Sequence, residues 1–298
     1  MQMNQTQATL ADLVRDACLA EVGFTKPGNV GPQAGFADAD VHDFRQSASA
    51  IAPVLSKAPD QPVGQTILEA VLATQAAVGH NTNLGIILLL TPLAAVPCES
   101  SIRSGIGCVL ESLTVEDAVL AYQAIARSHA AGLGKADQQD VQDQPTTDFR
   151  ECMKLAADRD LIARQYANDF REVLTFGVPL LLQTCNWQRC HEWRLGWQAL
   201  QFLSQFPDSL ILRKNGEACA EQVRAEAADV LRAGWPFREG SQGAYERFDS
   251  RLRSPNHKLN PGTTADLIAA TLFVAMRDFG CRFDDETQTL NVPDETYD

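Results

Sequence analysis

Several features that define common classes of protein are missing from this sequence of 298 residues. No run of Lys and Arg is long enough to form the basic face of a nucleic-acid-binding protein. The N-terminus lacks the basic segment and following apolar segment of a secretory signal. The longest apolar stretch, Leu84 to Val96, falls short of the roughly 20 residues that span a bilayer. We therefore expect a cytoplasmic protein that binds neither nucleic acid nor a membrane.

The eight cysteines include no CxxC pair, which argues against a disulfide framework or a common zinc site. Cys185, Cys190 and His191 are close in sequence, but their spacing matches no usual zinc pattern. What the chain does have is 45% hydrophobic residues, enough for a substantial core, and a formal net charge of −13. A polyphosphate ligand would need local cations or a divalent metal to offset that charge.

Helical periodicity runs through most of the chain, and no segment shows the sustained alternation of a strand. The predicted helices are Leu10–Val22, Phe44–Leu55, Thr66–Val78, Leu84–Leu90, Thr114–Ala131, Asp160–Leu182, Glu217–Leu231 and Thr264–Phe279. The run at Leu84 also fits a buried strand, but we favour a helix. The pattern predicts an all-α protein, one globular domain over residues 1–298 with about ten helices and a surface loop at 132–148.

The segment from Lys26 to Val30 predicts a rigid turn, because Pro27 fixes φ and Gly28 allows a positive φ. Such a turn can present backbone N–H groups and an ammonium to an anionic oxygen. The alternative is an ordinary helix-ending turn with an exposed lysine.

A second polar cluster contains Asp38, Asp40, His42 and Asp43. These side chains suit magnesium ligation or acid–base chemistry. Asp43 equally fits the N-cap of a helix that begins at Phe44.

Asn81, Thr82 and Asn83 lead into the apolar helix, where unpaired N–H groups of a helix N-terminus would attract an anion. Ordinary capping is the alternative. Arg213 and Lys214 offer two cations for phosphates, or form a surface pair that ends a short helix.

The segment from Asn260 to Asp266 predicts a helix start in which Thr263 and Asp266 form a capping box. The same geometry would provide a phosphate cradle at Gly262 to Thr264, or an Asp266 carboxylate placed to bind a metal.

In their joint order these motifs resemble those of the triphosphoribosyl-dephospho-CoA synthases, over most of the chain. The matching residues are Lys26-Pro27-Gly28, His42-Asp43, Ser47-Ala48, Gly64 with Glu69, Asn81-Thr82 with Gly85, Asp208 with Arg213-Lys214 and Gly216, and Pro261 through Leu267. The chain departs from the family at Asn83-Leu84, where characterised members have a His-Lys pair, and at Thr263, where they have a second glycine. These departures resemble a divergent branch found in archaea and some bacteria.

The resemblance implies transfer of the triphosphoribosyl part of ATP to the 2′-hydroxyl of 3′-dephospho-CoA, with release of adenine. Displacement at the anomeric carbon requires a base for the hydroxyl, help for the leaving adenine and a grip on the triphosphate. The expected catalytic residues are His42, Asp43 and Asp208. The expected substrate-binding residues are Lys26, Gly28, Asn29, Asn81, Thr82, Asn83, Arg213, Lys214, Gly262, Thr263 and Thr264.

We expect a magnesium ion, held by Asp43 and Asp266, to neutralise the triphosphate. The central expectation is that three loops, at Lys26, Asn81 and Gly262, converge at one cleft. Two alternatives stay open: a phosphoribosyl- or pterin-related transferase or hydrolase linked to tetrahydromethanopterin synthesis, and a nucleotide-binding protein without catalysis. The expected partners are ATP and dephospho-CoA or an analogue, and the assembly is either a monomer or a homo-oligomer.

Overall fold

The structure is a computed structural model, and it describes residues 8–32, 35, 40–128, 139, 141–184, 187, 191–253 and 258–293. These residues form fourteen α-helices, which confirms the all-α class with more helices than expected. The helices are α1 (Leu10–Gly23), α2 (Val41–Leu55), α3 (Val63–Val78), α4 (Leu84–Ala95), α5 (Ile102–Glu111), α6 (Val115–Ser128), α7 (Phe149–Lys154), α8 (Leu161–Ala167), α9 (Val178–Leu182), α10 (Arg194–Gln205), α11 (Ser209–Asn215), α12 (Glu217–Arg232), α13 (Gln242–Leu252) and α14 (Gly262–Phe279).

Two helices that are apolar on nearly every side form the centre of the larger core. Residues Ile86 to Ala94 of α4 and Leu267 to Met276 of α14 are buried. A helix that is hydrophobic all round must be covered on all sides, and α14 packs against α1, α4 and α10. A second cluster of buried residues joins α10 to α13 around Trp235 and Tyr245. The two central helices begin at Leu84 and Gly262, which places both predicted anion-binding starts beside this core.

A short antiparallel hairpin contradicts the prediction that the chain has no strands. Its strands are β1 (Arg282–Asp284) and β2 (Thr289–Asn291), with Phe283 opposite Leu290. Three residues per strand are too few to give a detectable alternation.

The predicted helix over Asp160–Leu182 is wrong as a single element. Asp169 and Phe170 both have positive φ, at 57° and 59°, which ends α8. The Asn168 side chain then accepts a hydrogen bond from the Arg171 N–H, and a π-helical turn over Val173–Gly177 leads into α9. Left-handed backbone at two successive residues cannot continue a right-handed helix.

Two helix starts differ from prediction. α2 begins at Val41 with Asp40 as its N-cap, so Asp43 is the third residue of a capping box and not the cap. In α14 the predicted Thr263–Asp266 capping box does not form, because the helix begins at Gly262 and no side chain from its own start caps it.

Residues 132–138 and 140 of the predicted loop at 132–148 lie outside the described residues, as do Cys185, Cys190 and Asp38. In its described part, Pro145 is buried and Val141 packs against the core, so that part is not simply a surface segment. No helix formed by the described residues combines the length and the apolarity needed to cross a membrane.

Candidate active site

The predicted loops converge on one cavity of about 920 Å³. Asn29 and Val30 reach it from the turn after α1, Asn81 to Asn83 from the α3–α4 connection, and Gly262 and Thr263 from the start of α14. This volume lies near the top of the roughly 300–1,000 Å³ range of ligand pockets. The cavity is therefore large enough for more than one small substrate, and the central expectation is confirmed for these residues.

The turn at Gly28 is held in place by α13. Gly28 has a φ of 73°, and a Cβ there would lie 2.6 Å from Leu252 Cβ, so both conformation and space require glycine. Its N–H donates to Asp249 Oδ1 at 2.8 Å, and Arg253 Nη2 donates to the Asn29 carbonyl at 2.9 Å. The turn is thus a rigid support that presents Asn29 to the cavity.

Lys26 does not reach the cavity, which corrects its predicted contact with phosphate. Its side chain is fully buried, with Nζ 3.0 Å from Glu21 Oε1 and 3.0 Å from the Phe24 carbonyl oxygen, and it also donates to the Glu21 carbonyl. Three acceptors satisfy all three ammonium protons. Lys26 instead neutralises the charge of the buried Glu21 carboxylate, and Glu21 lines the cavity.

The Asn-Thr-Asn element caps α4 from outside the helix. Asn81 Oδ1 accepts from the N–H groups of Asn83 at 3.3 Å and Leu84 at 3.0 Å. Asn83 Oδ1 accepts from Thr74, and Thr82 Oγ1 lies 2.6 Å from Ser47 Oγ on α2. The capping interpretation of this motif is confirmed, and the same three residues line the cavity, while anion binding stays a prediction.

The imidazole that faces Asp43 belongs to His80 and not to His42. His42 is exposed and bonds Gln46 at 2.9 Å, and neither His42 nor Asp43 lines the cavity. His80 Nε2 lies 3.8 Å from Asp43 Oδ2, while its Nδ1 lies 3.0 Å from the Val78 carbonyl oxygen. The structure therefore contradicts the prediction that His42 lies in the active site. Asp43 does not line the cavity but lies next to His80, which does.

Asp208 is a structural carboxylate, which corrects its predicted catalytic role. It is 1% exposed, and Oδ1 accepts from the Leu210 and Ile211 N–H groups as the N-cap of α11. Oδ2 accepts from the N–H and hydroxyl of Thr264, at 2.7 and 2.8 Å. Burial raises the pKa of Asp208, and the four hydrogen bonds oppose that rise. Thr264 is likewise buried and bonded, so it is not a substrate ligand.

Cations line the wall that α11 forms. Arg213 and Lys214 both reach the cavity, with Arg159 beside them. Arg213 forms an ion pair with Asp160, which caps α8 through the Ile162 N–H at 2.9 Å. This wall agrees with the predicted phosphate contact of Arg213 and Lys214, and Arg159 adds a third cation to it.

Asp266 lies in the cavity against the start of α4. A Cβ on Gly85 would be 2.0 Å from Asp266 Oδ2, so the carboxylate occupies the space that glycine leaves. Among the described residues no donor forms a hydrogen bond with this carboxylate. Burial, followed by the nearby charge of Glu21, raises the pKa of Asp266 well above its usual range. Two carboxylates that repel each other in a cleft are typical of a functional site.

The part of the chain that the structure describes contains no group of three or more His, Cys, Asp or Glu side chains that could hold a metal ion. Asp266 lines the cavity and Asp43 does not, so the two predicted magnesium ligands do not share its wall. The carboxylates that line it are Glu21, Asp266 and Asp160, and Asp160 is paired with Arg213. Magnesium commonly binds through one or two carboxylates and the phosphates of its substrate, and an Asp266 without a donor fits that chemistry.

Some buried polar side-chain atoms at this cavity have no hydrogen-bond partner among the described residues. They are Arg213 Nε and Asn260 Oδ1, and His80 Nε2 has only the Asp43 carboxylate at 3.8 Å. Since buried polar groups are normally bonded, unmet groups in a cleft indicate a ligand.

The polar lining residues that sequence reasoning missed as site residues include Glu21, His80, Arg159, Asp160 and Asn260. Asn260 begins the predicted helix-start segment and Asp160 begins a predicted helix, so proximity to these helix starts was a usable signal. Nothing local in the sequence reveals that Glu21 turns inward with Lys26.

Comparison with known proteins agrees with this arrangement. The family described as CitG: ATP:dephospho-CoA triphosphoribosyl transferase matches residues 7–282. A crystal structure from Archaeoglobus fulgidus, provisionally named a triphosphoribosyl-dephospho-CoA synthase, has the same fold with a TM-score of 0.61 and 23% identity, over 78% of this chain and 97% of that one. A search of curated proteins finds no match. The chain belongs to the CitG family and is a transferase of the triphosphoribosyl-dephospho-CoA synthase type.

Proposed function

We propose that the cavity is where this transferase moves the triphosphoribosyl group of ATP to dephospho-CoA. The observation that carries the proposal is the convergence of three distant loops on one cavity whose wall holds cations, carboxylates and unmet polar atoms. ATP and dephospho-CoA are the small-molecule partners that the family implies. A cytoplasmic location suits both substrates.

The triphosphate lies between α11 and two helix starts. Lys214, Arg213 and Arg159 supply positive charge against phosphate oxygens, and residues of the first turns of α4 and α14 line the same cavity. Asn81 bonds the Leu84 N–H and Asp208 bonds the Thr264 N–H. Substrate oxygens can therefore bond only the other amides of these first turns.

In the reaction the 2′-hydroxyl oxygen of the acceptor bonds to the anomeric carbon of ATP as the bond from that carbon to adenine breaks. The electron pair of the broken bond leaves with adenine, which takes up a proton. The hydroxyl proton passes to Asp266, since Asp208 and Asp160 already accept hydrogen bonds from other groups and Glu21 is paired with Lys26. Asn29 and Asn81 orient the two riboses by hydrogen bonds. Bound magnesium would neutralise phosphate charge, and Asp266 with Glu21 would hold it.

The two rival functions have less support. A pterin-linked transferase of the same fold would use the same cavity, but the family match specifies ATP and dephospho-CoA. A non-catalytic binding protein is disfavoured because the matching family is described as a transferase.

Adenine release from ATP, measured with magnesium and dephospho-CoA, tests the proposal. Asp266→Asn should lower kcat by about 100-fold, because it removes the charge while keeping the shape. Lys214→Ala should mainly raise the KM for ATP. Asp229→Asn and Arg232→Ala, exposed residues paired with each other on α12, serve as controls of the same chemistry.

A wild-type chain that releases no adenine with either dephospho-CoA or another nucleotide acceptor would overturn the proposal. Full activity in Asp266→Asn, with unchanged magnesium affinity in calorimetry, would overturn the role of the carboxylate pair.

A further inference from the structure

We define the polar rim as the charged part of the cavity lined by Asp160, Arg213, Lys214 and Asp266. Next to it, one part of the cavity is apolar. We define the apolar lobe as Leu88, Ile125, Phe149, Cys152, Met153 and Ile162. All six are buried, and they come from four helices. α7 packs against both α6 and α8, and α4 packs against α8, so these helices form a continuous wall.

The apolar lobe is connected directly to the polar rim. On α4, Gly85 lies beside Asp266 at the rim, and Leu88 is nearly one helical turn, about 5 Å, further along. On α8, Asp160 caps the helix at the rim and Ile162 follows in the lobe. A ligand with one charged end and one apolar end would fill both regions at once.

Polar groups beside the lobe are already engaged. Ser128 Oγ donates to the Ile125 carbonyl at 2.7 Å. The side-chain amide of Gln139 bonds Thr146 at both ends, at 2.8 and 3.0 Å. A purine edge needs several free donors and acceptors, whereas an aliphatic chain needs apolar contact and adaptable side chains such as Met153.

We propose that the apolar lobe binds the pantetheine arm of the acceptor; this inference rests on the proposed function. Of the two substrates that the family description specifies, only dephospho-CoA carries a long arm on its diphosphate, and the methyl and methylene groups between the amides of that arm suit an apolar lining. The lobe begins within a turn of the rim residues that contact phosphate. The acceptor therefore places its diphosphate at the rim and its arm between α6, α7 and α8.

Equilibrium binding by calorimetry tests the inference with dephospho-CoA and ADP, which share the nucleotide and differ in the arm. Wild-type protein should bind dephospho-CoA at least about tenfold more tightly than ADP, as burial of several methylene groups requires. Met153→Ala should reduce that ratio several-fold and leave the affinity for ADP unchanged. Met276→Ala is the matched control, since this buried methionine of α14 does not line the cavity.

Ile125→Val, a milder change, repeats the test if Met153→Ala does not fold. An unchanged ratio in both folded variants overturns the inference. Parallel loss of affinity for ATP and ADP also overturns it, because the lobe would then bind adenine. If the ratio depends on the lobe but no adenine is released in any assay, the proposed function fails while the binding site stands.

Discussion

At the scale of single residues, the buried pair Lys26–Glu21 shows how a motif can support a site without contacting the ligand. The ammonium is fully enclosed, 3.0 Å from Glu21 Oε1. Removing one partner of a buried ion pair leaves an uncompensated charge, which costs about 3–5 kcal/mol. The motif is needed for the position and charge of Glu21 on the cavity wall.

Lys26→Met should therefore lower the free energy of unfolding by about 3–5 kcal/mol, measured by urea denaturation. The double variant Lys26→Met with Glu21→Gln should recover part of that loss, because no buried charge is left unpaired. A Lys26→Met variant of unchanged stability that loses only ATP affinity would contradict this assignment and restore a direct phosphate contact.

A substitution at Gly85 should lower activity without lowering stability. Gly85→Ala puts a methyl group where Asp266 Oδ2 now lies, 2.0 Å away, and must displace the carboxylate. Alanine favours a helix by up to about 1 kcal/mol over glycine, so thermal stability should hold or rise. Adenine release should fall by about 100-fold, as a misplacement of about 1 Å commonly causes. Gly107→Ala on α5, where a Cβ meets no other atom within 4 Å, is the control.

Some contacts of single side chains could not be predicted from the sequence. Asn29, Asn81 and Gly262 were placed correctly because each follows from local turn or cap chemistry. The pairing of Asp43 with His80 could not be read, because it joins α2 to the α3–α4 connection across space. The predicted contact of Lys26 with phosphate was wrong for a related reason, because the sequence shows the charge of a side chain but not its direction.

At the scale of helices, glycine and aspartate join α3 to α6. The Gly64 N–H donates to Asp117 Oδ1 at 2.7 Å, and Asp117 Oδ2 accepts from the N–H and hydroxyl of Thr114. A Cβ on Gly64 would lie 2.5 Å from the Asp117 backbone. One carboxylate thus fixes the start of α6 and its close approach to α3.

Gly64→Ala should destabilise the protein by about 1–3 kcal/mol, because backbone atoms cannot move aside as a side chain can. The shift in urea midpoint measures it, and Gly79→Ala, at a glycine with no neighbour within 4 Å, separates this crowding from backbone strain. Equal losses in both variants would show that conformation, not close packing, governs Gly64.

Helix ends could be predicted from the sequence where they depend on residues that are close to them in the chain. α1 and α12 end within one residue of prediction, since amphipathic spacing and strong helix formers define them. The break after α8 was not predictable, because it depends on Phe170, which is fully buried beside Tyr166. Tertiary packing overrides helix propensity there. The prediction of one domain stays a prediction.

At the scale of the whole molecule, the C-terminal hairpin is tied to α2 by Arg45, which pairs with Asp285 through both guanidinium nitrogens. This hydrogen bonding lowers the pKa of Asp285. Because the folded pKa lies below the unfolded one, the pair stabilises the fold above the ordinary aspartate range and loses this effect as pH falls through the folded pKa.

Asp285→Asn should consequently cost up to about 1 kcal/mol at pH 7, and the difference from wild type should shrink as pH falls below the unfolded pKa and vanish below the folded pKa. Thermal unfolding at pH 7 and at successively lower pH measures both. Asp284→Asn, next to it but bonded to backbone N–H groups of its own turn, shows whether the effect belongs to the Arg45 pair. A difference that persists in acid would rule out the ionic origin.

The single carboxylate of Asp208 caps α11 and accepts hydrogen bonds from the N–H and hydroxyl of Thr264 on α14. The α11 helix that carries Arg213 and Lys214, and the opening turn of α14, therefore share one anchor and keep their spacing before any nucleotide arrives. Little ordering entropy is left for the protein to lose on that side when phosphates bind. If the apolar lobe binds the arm of the acceptor as proposed, adjustment to substrates of different length falls to α6 and α7, whose residues line that lobe.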